Sequence, residues 1–111
     1  RGILATVSAK MTDKALSMSD EEIHDVWAKA YAGPGVHRAA GAGARLPATA
    51  NVVGSNAAHV QVVTDRHSGR LIAFAAIDNL NRGTAGQAVQ SLNVALGLPE
   101  DKGLTKIGVA P

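Results

Sequence analysis

The chain has 111 residues and a formal net charge of +2 at pH 7, from eleven Lys and Arg against nine Asp and Glu. Its length suits a single domain with one hydrophobic core. Because the charges are scattered and only 3% of the residues are aromatic, a nucleic-acid partner is not expected. The absence of cysteine excludes disulfides, thiolate metal sites and a cysteine nucleophile in this chain. No apolar run is long enough for a membrane span and no leader is apparent, so a soluble cytoplasmic protein is expected.

The first predicted element covers residues 2–9. Apolar Ile3, Ala5 and Val7 alternate there with neighbours that are themselves mostly apolar, which predicts a strand buried on at least one face. Since an independent domain more often begins with a few free residues, we expect a further N-terminal portion to precede this strand.

A helix is predicted next. Ser19 and Glu22 have the spacing of a capping box. Apolar residues then recur at helical spacing, at Ile23, Val26, Trp27, Ala30 and Tyr31. Gly33 and Pro34 are expected to end the helix, because a left-handed glycine followed by a proline does not continue it.

The middle of the chain gives weaker signals for secondary structure. Residues 33–50 are rich in Gly, Ala and Pro and are interpreted as a loop, with room for a short strand at 36–39. Strands are then predicted to dominate from Asn51 to Ile77.

Two of these strands form a predicted hairpin. Ala58, Val60 and Val62 share one face of the first strand, and DRHSGR at 65–70 has the composition of a hairpin turn. LIAFAAI at 71–77 is a nearly continuous apolar run, which is typical of a central strand covered on both sides.

The last predicted element is a second helix. Its apolar stripe consists of Ala85, Ala88, Val89, Leu92 and Leu96. Thr84 and Gln87 have capping-box spacing, and Gly97 and Pro99 are expected to stop the helix. The order of strand, helix, strands and helix predicts an α+β fold, with a single mixed or largely antiparallel sheet and helices packed on one face.

The histidines do not predict a metal site. His24, His37, His59 and His67 show neither the i, i+4 spacing nor the clustering of metal ligands. His24 is assigned to the polar helix face beside Asp25 and His67 to the hairpin turn, so both are expected in solvent. Only His59 is placed where it could face a cleft.

Neither Ser55 nor the glycines predict a catalytic or nucleotide motif. Ser55 has no nucleophile-elbow sequence around it, and a turn at a strand end is the alternative. Gly41, Gly43, Gly83 and Gly86 do not form the dinucleotide-binding signature. No Rossmann half is therefore predicted in this chain, and most of any nucleotide site would lie elsewhere.

Asp78 and Asn79 are the strongest candidates for a polar site. Both leave an apolar strand together, ahead of a helix N-terminus where N–H groups favour acceptors of a ligand. An asparagine amide can also pair with another primary amide, such as that of nicotinamide, through two hydrogen bonds. The alternative is an Asx-turn, in which Asp78 or Asn79 bonds the backbone of the connecting loop.

Three stretches resemble one enzyme family. RGILATV (1–7), LPATANVVGSNAAHV (46–60) and AAIDNLNRGTAGQAVQSLNVALGLPEDKGL (75–104) are similar, in this order, to the C-terminal portion of N-acetyl-gamma-glutamyl-phosphate reductase. The resemblance implies the C-terminal catalytic and dimerisation domain type of the semialdehyde dehydrogenases over residues 1–111. It also implies a homo-oligomer and an enzyme that reduces an acyl phosphate with NADP(H) through a cysteine thioester.

The resemblance also implies where the remaining parts of such an enzyme lie. The family's catalytic cysteine, its Rossmann domain and its Thr-Pro-His segment precede the matched region, so a segment like this one is expected to be inactive alone. An N-terminal Rossmann portion of the same enzyme is accordingly the expected partner.

Six residues are the site candidates. Asp78, Asn79 and Gly83 are assigned to the cofactor by the resemblance, while Arg1, Ser55 and Asn56 are the candidates for substrate contact. A guanidinium such as that of Arg1 suits an anionic substrate, because it pairs with carboxylate or phosphate at two points.

Two hypotheses stay open at this point. In the first, the chain is the catalytic and dimerisation portion of an NADPH-dependent reductase. In the second, it is a non-catalytic α+β oligomerisation or interaction module that retains the dehydrogenase fold.

Overall fold

A computed structural model of the chain describes residues 1–33 and 43–109, together with the backbone of residues 37–39. Along the chain the elements are β1 (Ile3–Lys10), α1 (Asp13–Ser17), α2 (Asp20–Ala30), β2 (His37–Ala39), β3 (Ala58–Asp65), β4 (Arg70–Ile77) and α3 (Gly86–Ala95). A 3-10 turn at Thr49–Val52 precedes β3, and a π-helical turn at Asn81–Ala85 precedes α3.

The strands form one sheet in the order β1-β4-β3-β2. β1 and β3 are both antiparallel to β4, whereas the short β2 runs parallel to β3. The predicted α+β fold with a mixed, largely antiparallel sheet is therefore confirmed. The predicted strand at 36–39 corresponds to β2, with Val36 outside the described residues.

Local signals fix several elements as predicted. In α2 the Glu22 N–H donates to Ser19 Oγ at 3.1 Å and the Ser19 N–H donates to Glu22 Oε2 at 2.7 Å, which is the predicted capping box. The predicted hairpin joins β3 to β4, and its last turn residue, Gly69, has a φ of +64°.

The short helix α1 was not predicted. Thr12 caps it, since its Oγ1 accepts from the Ala15 N–H at 3.2 Å. Arg66 of the hairpin turn ties this region to the sheet: its Nη1 donates to the Leu16 carbonyl at 3.1 Å and its Nε to Asp20 Oδ1 at 2.9 Å. Both contacts are exposed to solvent.

The register of the sheet separates two faces, because directly opposed residues of an antiparallel pair point to the same side. Val62 and Leu71 belong to the helix face, where α1 and α2 pack. They line a cavity of about 270 Å³ there, together with Ala15, Met18, Ile23, Val26 and Trp27. The other face, here called the open face, carries Leu4, Thr6, Val63, Ile72 and Phe74, whereas Gln61 and Ala76 on the same side of the sheet are buried.

The edge strand β1 departs from the prediction. All eight of its residues are exposed, so the expectation of a strand buried on at least one face is wrong within this chain. Leu4 and Val7, which point to opposite sides, are 53% and 63% exposed. β4 is central, as predicted, but only Ala76 is buried in it, so its predicted cover on both faces is also missing.

The segment before β3 is a turn and not a strand, contrary to the prediction from Asn51 onward. The 3-10 turn Thr49–Val52 packs against the end of β4. Val52 of this turn and Ala76 of β4 are both fully buried.

The predicted capping box of α3 is also wrong. The chain is already helical through the π-helical turn, α3 has no side-chain cap, and Thr84 Oγ1 donates instead to the Asn79 carbonyl at 2.9 Å. The stripe of α3 is largely exposed in this chain, at Val89, Leu92 and Leu96.

Candidate functional site

The buried carboxylate of Asp78 is the centre of the candidate site. Asp78 follows β4 directly and is 0% exposed. Its Oδ2 accepts from Arg1 Nε at 2.9 Å, from Arg1 Nη2 at 2.6 Å and from the Gly54 N–H at 2.7 Å. Its Oδ1 accepts from the N–H groups of Leu80 at 2.9 Å and Asn81 at 3.2 Å. One side chain thus joins the start of β1, the loop before β3 and the turn after β4.

These contacts keep Asp78 ionised. The hydrogen bond from Arg1 has the largest effect on the pKa of Asp78, and the N–H groups of Gly54, Asn81 and Leu80 lower it further. Burial acts in the opposite direction, yet the pKa stays far below its ordinary value. Asp78 is therefore negatively charged at neutral pH and attracts Arg1 by charge as well as by geometry.

Asp78 also occupies the start of the following helical segment. Its side-chain bond to the Leu80 N–H is an Asx-turn, and its carbonyl oxygen accepts from the N–H groups of Arg82 at 2.8 Å and Gly83 at 3.2 Å. The Asx-turn alternative from the sequence is thus present at Asp78. Contrary to the expectation of a free helix N-terminus, the N–H groups of residues 80–83 are all used within the chain.

Asn79 retains hydrogen-bonding capacity. It is half-buried, and its Oδ1 accepts from the Gly2 N–H at 2.7 Å. Its Nδ2 makes no hydrogen bond to any residue in the described part of the chain. Since a primary amide offers an acceptor and two donors, Asn79 presents mainly a donor to a ligand.

Two glycines near this amide differ in what they do. A Cβ at Gly83 would lie 3.6 Å from both Asn79 Cβ and Ile77 Cδ1, which is ordinary contact, so internal packing does not require glycine there. Gly83 is exposed, and its missing side chain leaves accessible surface beside Asn79. At Gly86, by contrast, a Cβ would overlap Asn56 Oδ1, so that glycine is needed for packing.

Ser55 and Asn56 are held inside the loop before β3. Ser55 is fully buried, and its Oγ donates to the Val52 carbonyl at 2.9 Å and accepts from the Ala57 N–H at 3.2 Å. The backbone N–H and Nδ2 of Asn56 both donate to the Thr105 carbonyl, at 2.8 Å and 3.3 Å. These contacts give both residues a structural role, and their predicted contact with substrate stays a prediction.

The sequence analysis missed two contributors. Gly54 donates to Asp78 from a φ of +74°, and a Cβ there would collide with Val109, so the position requires glycine. The sequence signal for this role was a glycine directly before Ser55 and Asn56 in the matched stretch 46–60. Arg82 has a buried Nη1 without a partner among the described residues. Its guanidinium adds a positive charge in the turn after Asn79, and its sequence signal was an arginine next to Gly83 in the matched stretch 75–104.

Three of the four histidines have described side chains and form no second site, whereas the side chain of His37 lies outside the described residues. His24 is buried, not solvated as expected, because α2 packs beside β3 and brings its Nε2 to 3.3 Å from Gln61 Oε1. His67 is exposed, as predicted, and His59 is half-buried. Within residues 1–33 and 43–109, no three His, Asp or Glu side chains are grouped for a metal ion. The helices of this part are also too short or too polar to cross a membrane.

The depressed pKa of Asp78 predicts a pH-dependent loss of stability. A carboxylate whose pKa is lower in the folded state stabilises the fold above its unfolded-state pKa, about 3.9. That contribution is lost as the pH falls through the folded-state value. Asp78→Asn is therefore expected to unfold at lower urea concentration than the natural chain at pH 7, with the difference shrinking below about pH 4.

The measurement is a urea titration of both proteins from neutral to acidic pH. Asp25→Asn, a change at an exposed aspartate of α2, is the matched control. The pKa values of Asp20, Asp65 and Asp101 are also lowered, but these residues are common to both proteins and cancel in the difference. A difference that is constant with pH, or absent at pH 7, contradicts the assignment.

Comparison with known proteins places the chain in a family. The family described as semialdehyde dehydrogenase, dimerisation domain, matches residues 1–79, which include all four strands. The whole chain is 74% identical to the N-acetyl-gamma-glutamyl-phosphate reductase of Bifidobacterium longum, 64% to that of Bifidobacterium animalis subsp. lactis and 51% to that of Streptomyces avermitilis. It spans about 30% of the length of these curated relatives. The resemblance carried by the three motifs is thereby confirmed, and the chain belongs to the semialdehyde dehydrogenase dimerisation-domain family.

Proposed function

We propose that this chain is the C-terminal part of a cytoplasmic NADPH-dependent reductase that converts N-acetyl-glutamyl phosphate to N-acetyl-glutamate semialdehyde in arginine biosynthesis. The observation that carries the proposal is the Asn79 amide at the end of β4, fixed through Oδ1 and without a described partner at Nδ2. The identity to reductases along the whole chain supports the same assignment.

The residues around Asn79 fit a nicotinamide cofactor. Nδ2 can donate to the carboxamide oxygen, and the exposed Gly83 leaves room for a ring to approach. Arg82 supplies positive charge for an anionic ligand. In this proposal Asp78 supports the site without touching the cofactor, because its carboxylate is buried and bonds the backbone of the turn. NADPH, when bound, supplies the hydride for the reduction.

The nucleophile must come from outside this chain. The thioester route implied by the resemblance needs a thiolate, and the chain has no cysteine. In this proposal an N-terminal Rossmann portion of the same enzyme provides the cysteine and most of the nucleotide site. This chain adds the Asn79 side of the cofactor site and a surface for self-association.

The first test concerns activity. The isolated chain is expected to show no NADPH oxidation with the acyl phosphate, whereas the longer protein that contains it and a catalytic cysteine is expected to show acyl-phosphate-dependent oxidation. Absorbance at the NADPH band, with and without acyl phosphate, measures both. Turnover by the isolated chain contradicts the proposal. Inactivity of the longer protein, with binding to some other partner, favours the alternative of a non-catalytic interaction module.

The second test concerns Asn79. In the longer enzyme, Asn79→Ala removes the Nδ2 hydrogen bond to the cofactor, which is worth about 0.5–1.5 kcal/mol net. The KM for NADPH is expected to rise, or kcat to fall, by roughly two to ten times. The exposed Asn51→Ala in the 3-10 turn is the control and should change neither quantity.

Melting temperature must be measured on the same Asn79 variant. Loss of the bond from the Gly2 N–H lowers stability in either case. A lowered melting temperature with unchanged NADPH kinetics shows that Asn79 only shapes the turn, and the cofactor assignment is then lost.

The surface for self-association is the open face of the sheet. Its apolar residues surround Phe74, the only phenylalanine of the chain, which is half-buried in the central strand. An apolar sheet face of this kind requires cover. Residues 1–79, which match the dimerisation domain, contain this face but end before α3. We therefore assign dimerisation to the open face and not to the exposed stripe of α3.

The third test replaces Phe74 by glutamate. The natural chain is expected to sediment as a dimer at high concentration, and Phe74→Glu to shift it towards the monomer, because a charge in an apolar interface loses its hydration. Val94→Glu, at a 62% exposed position of α3, is the control and should leave the dimer intact. A natural chain that stays monomeric, or a dimer broken only by Val94→Glu, contradicts the assignment.

A further inference from the structure

Two consecutive residues at the start of the chain bond two consecutive residues after β4. The Arg1 guanidinium contacts the Asp78 carboxylate through Nε and Nη2, and the Gly2 N–H donates to Asn79 Oδ1 at 2.7 Å. These contacts extend the pairing of β1 with β4, whose register begins at Ile3 and Ile77. The Arg1 side chain is thus anchored on the buried carboxylate of Asp78. This anchor lies next to the peptide that carries the Gly2 N–H.

Gly2 has little freedom to move on its other side. Its φ is +110°, which disfavours other residues, and a Cβ at this position would collide with the Thr49 side chain. The contact of Arg1 with Asp78 and the nearby Thr49 side chain both restrict the Arg1–Gly2 peptide. Because the Gly2 N–H bonds Asn79 Oδ1, Nδ2 is the half of the amide left for a ligand.

We propose that Arg1 is a positioning residue of the cofactor site: through its two-point contact with buried Asp78, it holds the Gly2 N–H against Asn79 Oδ1 and so orients the Asn79 amide. This inference rests on the proposed role of Asn79 towards NADPH. It differs from direct contact between Arg1 and an anionic substrate, because two guanidinium nitrogens are already engaged by Asp78.

The two-point geometry determines which variants are informative. Lysine keeps the charge of Arg1 but offers a single point of attachment, so it cannot fix the adjacent peptide in the same way. Glutamine removes the charge. Arg66 of the hairpin turn supplies a matched control, since its Nε and Nη2 also contact one aspartate, Asp20 of α2.

The experiment measures steady-state kinetics in the longer enzyme for Arg1→Lys, Arg1→Gln and Arg66→Lys. Both Arg1 variants are expected to raise the KM for NADPH by roughly two- to tenfold, as for the loss of one oriented hydrogen bond, and by no more than Asn79→Ala does. The KM for the acyl phosphate should stay unchanged. Arg66→Lys should change neither constant.

A double-mutant cycle tests whether Arg1 acts through Asn79. If it does, Arg1→Lys has no further effect on the KM for NADPH once Asn79→Ala is present, so the two changes are not additive. Additive effects overturn the proposal. A rise in the KM for acyl phosphate alone also overturns it, in favour of direct contact between Arg1 and substrate.

A readout on the 111-residue chain separates this inference from the proposed function. In ¹H–¹⁵N spectra, Arg1→Lys is expected to shift the Asn79 side-chain amide signals and to speed hydrogen exchange at the Gly2 N–H, with Arg66→Lys affecting neither. Unchanged Asn79 and Gly2 signals overturn the positioning role whatever the enzyme does. If the signals shift but the natural enzyme neither binds nor oxidises NADPH, the positioning contact stands and the proposed function is refuted.

A double variant in which both partners are neutral keeps the test informative if a single variant fails to fold. Arg1→Gln leaves Asp78 buried without its cation, which destabilises the chain. The double variant with Arg1→Gln and Asp78→Asn keeps a polar side chain at both positions but removes both charges. It is measured by the same steady-state kinetics and ¹H–¹⁵N spectra. If this double variant and Arg1→Lys both fail to fold, Arg1 serves only to stabilise the chain and the proposal is overturned.

Discussion

A carboxylate removed from water must find its hydrogen bonds inside the protein, and the structure around the end of β4 depends on this requirement at Asp78. Among the described residues, none covers β1 well enough to bury its side chains, all of which are exposed. Polar contacts hold both of its ends instead. Arg1 bonds Asp78 at one end, and Arg70 Nε donates to Ser8 Oγ at 2.6 Å near the other. Ladder hydrogen bonds and these side-chain contacts therefore do for β1 what hydrophobic burial does for β3.

Within the part of the chain that the structure describes, the buried apolar residues are few and mostly small. They are Ile23, Val52, Ala57, Ala58, Val60, Val62 and Ala76. Larger apolar side chains remain exposed on the open face and along α3. The chain spans about 30% of the length of its relatives. In those longer proteins, the additional residues are available to cover surfaces that are exposed here. In the proposed enzyme, the open face meets a second copy, and α3 lies outside that contact.

Features set by neighbouring residues could be predicted from the sequence. The capping box of Ser19 and Glu22, the hairpin turn and the end of β4 at Asp78 all follow from signals within a few positions. Burial could not be predicted where it depends on distant partners. His24 resembles a solvated helix residue until Gln61 of β3 is placed beside it. Likewise, the partners of Asp78 lie up to 77 positions away, so its pairing with Arg1 has no local signal.

The π-helical turn at Asn81–Ala85 constrains the length of its segment as well as its composition. In it, Gly83, Ala85 and Gly86 each donate to a carbonyl five positions earlier. Each residue of a helix turns the chain by about 100°. Deleting one residue here would thus rotate α3, taking Gly86 from Asn56 and Asn93 from the carbonyls of residues 100 and 102 that it bonds. Among related sequences, we therefore expect substitutions at exposed positions of this turn to be tolerated. Insertions and deletions between Asp78 and Gly86 are expected to be rare.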